Sequence, residues 1–226
     1  MPTLVIANKI YSSWSLRPWL LLKQFDVAFD EILIPLDLPD TRAKVLEHSP
    51  AGKVPILIDG DATVWESLAI MDYAGENFGI SVWPEGKKAR AMARSVAAEM
   101  HSGFSALRNA CPMNLGKSFA RKDRGGAVAR DVARFEEIVR QSRALADESG
   151  PFLFGSFTAA DAMYAPLVTR LDTYSFDVSP QTRAYMDAIL SLPAFREWRE
   201  AALQESWIVD ADEVDEEPVS IHRRAA

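Results

Sequence analysis

The chain has 226 residues, 48% apolar and 25% charged, and its 32 acidic against 25 basic side chains give a formal charge of −7. That length accommodates one large domain or two modest ones, each with a real core. The acidic balance argues against a nucleic-acid partner, and no apolar run approaches the ~20 residues of a membrane span. One cysteine, Cys111, and three scattered histidines supply neither a disulfide framework nor metal-ligand spacing, so no metal is expected. No basic-then-apolar leader stands at Met1–Ile10, and a cytoplasmic location is expected.

Thr3–Ala7 (TLVIA) has the apolar run of a buried first strand. After the polar stretch Asn8–Ser15, Leu16, Trp19, Leu20, Leu22 and Phe25 recur at helical spacing, so a helix starts near Ser13 or Ser15. With Ser15 as cap, Pro18 falls in the first turn at no cost; with Ser13 as cap, one backbone bond is lost. Phe29–Pro35 predicts a second strand and Thr41–Glu47 a short helix.

The stretch AGKVPILIDGDATVWESLAI, Ala51–Ile70, is the most informative. Pro55 cannot donate to a ladder, so it should stand at the head of an edge or turn-entered strand, Ile56–Ile58. Asp59-Gly60 signals a hairpin turn and Ala62–Trp65 the returning strand. Glu66 and Ser67 then open a helix whose apolar face includes Leu68, Ile70 and Tyr73. Extended backbone before Pro55 and unpaired N–H groups at the helix start both suit a small peptide bearing carboxylates. Strand, helix, strand, helix, hairpin, helix is the order of a thioredoxin-like domain with a mixed four-stranded sheet, assigned to residues 1–79.

Residues 80–87, with Trp83-Pro84-Glu85-Gly86, are the expected linker. Strand signals then vanish, and residues 88–207 predict an all-helical domain. From Lys87 onward Val96, Met100, Phe104, Leu107 and Cys111 form one apolar stripe, with His101, Ser105 and Arg108 on a neighbouring face. A second long helix covers Ala127–Ala146, and Thr158 and Asp161 have capping-box spacing. Further helices span Gln181–Leu190 and Pro193–Leu203. Residues 208–226, acidic and closed by His222-Arg223-Arg224, have the composition of a flexible, solvated extension.

GKVPILIDG followed by WESLAI resembles the glutathione-site signature of the cytosolic glutathione S-transferase superfamily. YSSWSLRPW resembles the active-site loop of its serine-type, zeta- and theta-like members, and FTAADAMYAPL resembles the buried capping motif of its helical domain. The resemblance covers the chain to about Trp207. It implies a cis Pro55, Val54 backbone paired with the tripeptide, Glu66 and Ser67 on the γ-glutamyl end, and Lys53 near the glycyl carboxylate. The thiolate partner is Ser12 when the loop is aligned on Arg17 and Ser13 on theta-like spacing, with the Tyr11 phenol as a rival donor. A hydroxyl and a helix N-terminus, each contributing on the order of 1 kcal/mol, suffice to favour a thiolate at neutral pH.

The resemblance further implies a homodimer and a small electrophilic second substrate between the domains, near Tyr11, Met100, His101, Phe104, Arg108 and Met113. Two alternatives stand beside a conjugating transferase. One is a glutathione-dependent isomerase of the maleylacetoacetate type, although Trp14 stands where the zeta group has cysteine. The other is a non-catalytic interaction protein of the same fold. The loop has no cysteine, so thiol exchange through a protein thiolate lacks its nucleophile.

Overall fold

The computed structural model describes residues 1–146 and 148–223. Its N-terminal part contains β1 (Thr3–Ile6), α1 (Ser13–Gln24), β2 (Asp30–Leu33), α2 (Thr41–Leu46), β3 (Ile56–Asp59), β4 (Ala62–Trp65) and α3 (Ser67–Asn77). The sheet order is β2-β1-β3-β4, with β1 and β2 parallel across the α1 crossover and the other neighbours antiparallel. Val5 opposite Ile56 and Leu4 opposite Leu57 set the central register. β3 is therefore a central strand. Pro55 is tolerated because it lies just ahead of the ladder, at a cis Val54–Pro55 peptide.

Helices α4 (Lys87–Ser102), α5 (Ser105–Ala110), α6 (Gly126–Ala144), α7 (Ala159–Thr173), α8 (Pro180–Ser191) and α9 (Pro193–Ala202) form the second domain. α7 is buried along its length apart from Asp172 and packs on both α1 and α4, so one apolar core runs through both domains. Burying so much apolar side chain, at roughly 25 cal/mol per Å², is the main force joining the two domains. Asp161 fastens the start of α7. Its carboxylate accepts the N–H groups of Thr158 at 2.8 Å and Leu153 at 3.0 Å, and the Thr158 hydroxyl at 2.9 Å.

Three expectations need correction. The stripe beginning at Lys87 is two helices, because the chain breaks at Gly103 and Phe104. Gly103 is extended, with ψ −163°, and Phe104 takes φ +59°, so neither continues α4; a Cβ at residue 103 would stand 2.7 Å from the Glu99 carbonyl oxygen, which suits glycine there. The second domain is helical but carries a two-stranded ribbon, β5 (Lys117–Phe119) paired antiparallel with β6 (Pro218–Ile221).

That ribbon belongs to the segment expected to be a solvated extension, which is folded down instead. A short 3₁₀ turn, Asp210–Asp212, precedes Glu213, whose carboxylate takes Lys117 Nζ at 2.6 Å and Asn114 Nδ2 at 3.1 Å. Glu216 holds Arg124 in a bidentate pair at 2.8 and 2.9 Å. The acidic run thus meets a basic surface, and composition alone did not reveal that complement. Arg224, at the end of that run, lies outside the described residues. Among the described residues no helix is long and apolar enough to cross a membrane.

The loop from β1 to α1 is held from behind. Glu205 accepts the buried N–H groups of Lys9 at 2.7 Å and Ile10 at 3.2 Å, and Trp198 Nε1 donates to the Lys9 carbonyl at 2.9 Å. An unpaired buried donor costs about 1–3 kcal/mol. Glu205→Ala, which orphans two, should lower unfolding free energy by about 3 kcal/mol in urea titration with an unchanged slope. A loss below about 0.5 kcal/mol would show that water replaces the carboxylate without penalty.

Candidate active site

α1 begins at Ser13, and its cap lies one residue before the nearer sequence-based candidate and three before the other. Ser12 is the N-cap: its Oγ accepts the Ser15 N–H at 3.3 Å and donates to Ser15 Oγ at 2.8 Å, while Ser15 Oγ accepts the Ala7 N–H at 3.1 Å. Pro18 therefore lies inside the helix and leaves the Trp14 carbonyl without its usual partner. The consequence for chemistry is a division of labour. The Ser12 proton is engaged within the cap, whereas the Ser13 hydroxyl has no hydrogen-bond partner among the described residues and lies on the wall of a cleft.

That cleft has two lobes that share Trp14, Lys53, Val54 and Arg108. The smaller, about 400 Å³, is bounded by Pro55, Trp65, Glu66 and His101. The larger, about 610 Å³, is bounded by Ser12, Ser13, the loop 36–39 after β2, Arg170 and Asp212. Glu66 stands at φ +70° as the N-cap of α3, exposed, with its carboxylate 3.5 Å from His101 Nε2. The first N–H groups of α3 are not capped by the Glu66 side chain.

Trp14 organises the floor between the lobes. The Arg17 guanidinium lies 4.1 Å from its ring centroid, that of Arg108 lies 4.8 Å away, and His101 meets it edge-on at 5.3 Å. Arg17 is 1% exposed, and its Nε and Nη1 have no hydrogen-bond partner. Burial, then repulsion from Arg170 and Arg108, pushes the Arg17 pKa well below that of an ordinary guanidinium. Arg170 donates to the carbonyls of Cys111 (2.9 Å) and Pro166 (3.1 Å), and burial followed by Arg108 brings it down to about 10. Burial also lowers His101, with Glu66 opposing and Arg17 and Arg108 reinforcing, so this imidazole is neutral at pH 7.

Ser12, Ser13, Lys53, Val54, Pro55, Glu66, His101 and Arg108 all line the cleft, and Tyr11 lies on the wall of the larger lobe. His101 differs in place: it stands beside Glu66 in the smaller lobe. The Tyr11 phenol is turned away from the cleft's serines, donating to Glu213 Oε1 at 2.6 Å; burial and that carboxylate raise its pKa strongly. Ser67 is fully buried with its hydroxyl toward the Met163 sulfur at 3.9 Å, so it does not line the cleft. Met100, Phe104 and Met113 are core residues, a correction to the expectation that they meet the second substrate: all three are buried in the core around α7, where Phe104 packs edge-on to Tyr164. Cys111 is likewise buried, which pushes its thiol up to about 11.

Sequence reasoning missed Arg170, Asp37 and Asp212. An arginine within the apolar run Leu167–Leu171 was the available signal, since a cation in a buried helix needs a reason. Nothing in the local sequence placed Asp212 on the cleft, because only the docked C-terminal segment brings it there.

Residues 11–77 match the family model described as glutathione S-transferase, N-terminal domain, and residues 125–201 match that of the glutathione S-transferase C-terminal domain. A probable maleylacetoacetate isomerase of Caenorhabditis elegans is 28% identical over 189 residues, 81% of this chain and 86% of that protein. Glutathione S-transferase L1 of Arabidopsis thaliana is 28% identical over 152 residues, 66% of this chain and 59% of that protein. A solved glutathione transferase homolog from Burkholderia GL BGR1, with bound glutathione, superposes with a TM-score of 0.65 at 22% identity, covering 89% of this chain and 97% of that one. Both family models, in the right order and on the domains the fold displays, lead to one conclusion: the chain belongs to the glutathione S-transferase superfamily.

Proposed function

We propose that the protein is a glutathione transferase that holds the glutathione thiolate at the start of α1 and delivers it to an electrophilic carbon. The observation that carries this reading is the Ser13 hydroxyl, unpartnered on the cleft wall at a helix N-terminus with three guanidinium groups nearby. A thiol ionises when its anion is stabilised more than its neutral form; hydroxyl donation, the helix dipole and neighbouring cations all act in that direction. The engaged proton of Ser12 makes Ser13 the donor and Ser12 the residue that fixes the helix start.

The smaller lobe has the chemistry for the peptide. Extended backbone at Val54, ahead of Pro55, offers N–H and C=O groups to a peptide, and Lys53 offers a cation for a terminal carboxylate. Glu66 suits an α-ammonium, and the N-terminus of α3 behind it, which the Glu66 side chain does not cap, suits the carboxylate beside that ammonium. The larger lobe is then left for the electrophile. A homodimer and a cytoplasmic setting accompany this reading.

An isomerase is the second reading, favoured by the similarity of the Caenorhabditis elegans relative over most of the chain. In that case the thiolate adds to and leaves the same substrate. Product analysis separates the two, because an isomerase regenerates free glutathione and a transferase consumes it.

Ultraviolet titration of bound glutathione should give a thiol pKa below the ~8.5 of an ordinary thiol. Ser13→Ala should raise it by roughly one unit, about 1.4 kcal/mol, while Ser12→Ala should leave it nearly unchanged and cost about 1 kcal/mol of stability. The reverse pattern would transfer the role to Ser12. Lys53→Ala should raise the glutathione KM by several-fold with kcat preserved, since a terminal carboxylate contact acts equally on ground and transition states. A fall in kcat at constant KM would contradict that assignment.

A further inference from the structure

Arg17, Arg108 and Arg170 come from α1, α5 and α7; the first two lie against Trp14, and Arg170 is near enough to repel both. Bringing three guanidinium groups together in partial burial is unfavourable unless anions compensate. Among the described residues none of the three has a carboxylate within ion-pair distance, although twelve pairs of lysine or arginine with a carboxylate occur elsewhere. Arg17 adds two buried nitrogens with no acceptor. Arg170 spends Nε and Nη1 on backbone carbonyls, which hold it in place and leave its charge unmatched. Glu66 and Asp212 act on Arg17 and Arg170 only from beyond contact distance.

The thiolate accounts for one compensating charge. Lys53 serves the glycyl carboxylate, and Glu66 with the start of α3 serves the γ-glutamyl end. Arg108 and Arg170 still face the larger lobe, together with Arg42 and Asp37 on its other elements and Asp212 from the C-terminal segment. We propose that the electrophilic substrate carries a carboxylate or comparable anion, seated by Arg108 and Arg170, with Asp212 as the opposing charge that limits how tightly the anion is held. The inference rests on the glutathione reading of the smaller lobe and names the class of molecule the larger lobe accepts.

The test is calorimetric titration of the full-length protein saturated with S-methylglutathione, using 3-nitrobenzoate and the near-isosteric neutral 3-nitrobenzamide. The benzoate should bind about tenfold more tightly, the size of one charge-assisted hydrogen bond. Arg108→Gln should remove most of that preference and leave the benzamide affinity unchanged. Asp212→Asn should tighten the benzoate by a few-fold, a gain that a folding defect cannot imitate. Equal affinities, absence of binding by both probes, or an Asp212→Asn protein that binds the benzoate more weakly would each overturn the inference while the glutathione reading stands. If S-methylglutathione itself fails to bind, the glutathione reading falls and this inference falls with it.

Discussion

Two buried amides fix the loop that forms one wall of the cleft. The N–H groups of Lys9 and Ile10 lie in the turn from β1 to α1, where no ladder or helix can satisfy them, and their acceptor is the carboxylate of Glu205, after α9. The Lys9 carbonyl is bonded to Trp198, whose ring meets Trp19 of α1 edge-on at 5.1 Å. The serine loop is therefore attached at one end to the sheet and at its back to the last helices of the second domain. A buried donor left unpaired costs as much as a large fraction of a domain's net stability, so this loop has one position when the two domains are docked and no comparable hold on it when they are not.

With the loop fixed, the charge arrangement follows. Ser12 closes the cap and points Ser13 at the cleft; Trp14, next in sequence, lies against two guanidinium groups that would otherwise repel each other without mediation. The ring supplies a negative face in place of a carboxylate, which keeps the cations in position without neutralising them. An acidic protein has thus concentrated positive charge at one inner surface, and the field there favours anions over the water outside. The C-terminal segment completes the enclosure. Its Glu213 engages the Tyr11 phenol, and its Asp212 lines the same lobe as Arg108 and Arg170.

The features legible in the sequence were those with local causes. Pro55 before an apolar run, Asp59-Gly60, and Glu66 at a helix start each act through their own backbone, and each appears where expected. Thr158 and Asp161 were readable for the same reason. The parts that were not legible depend on long-range partners. The choice between Ser12 and Ser13 turns on Ser15, whose hydroxyl oxygen accepts both the Ser12 hydroxyl and the Ala7 N–H. The docking of residues 208–223 depends on Lys117 and Arg124, about a hundred positions away in the chain. Phe104 shows the opposite error, in which a regular apolar period is carried through Gly103, although the extended backbone there and the positive φ of Phe104 end α4.

The central claim is that Ser13, at the start of α1, faces the sulfur of bound glutathione. The most direct measurement is a crystal structure of the protein saturated with glutathione. The account predicts the sulfur within hydrogen-bonding reach of the Ser13 hydroxyl, with Ser12 still bonded to Ser15 and Tyr11 still bonded to Glu213. A sulfur seated on the Tyr11 phenol with Glu213 displaced, or a cleft without glutathione under saturating conditions, would contradict it.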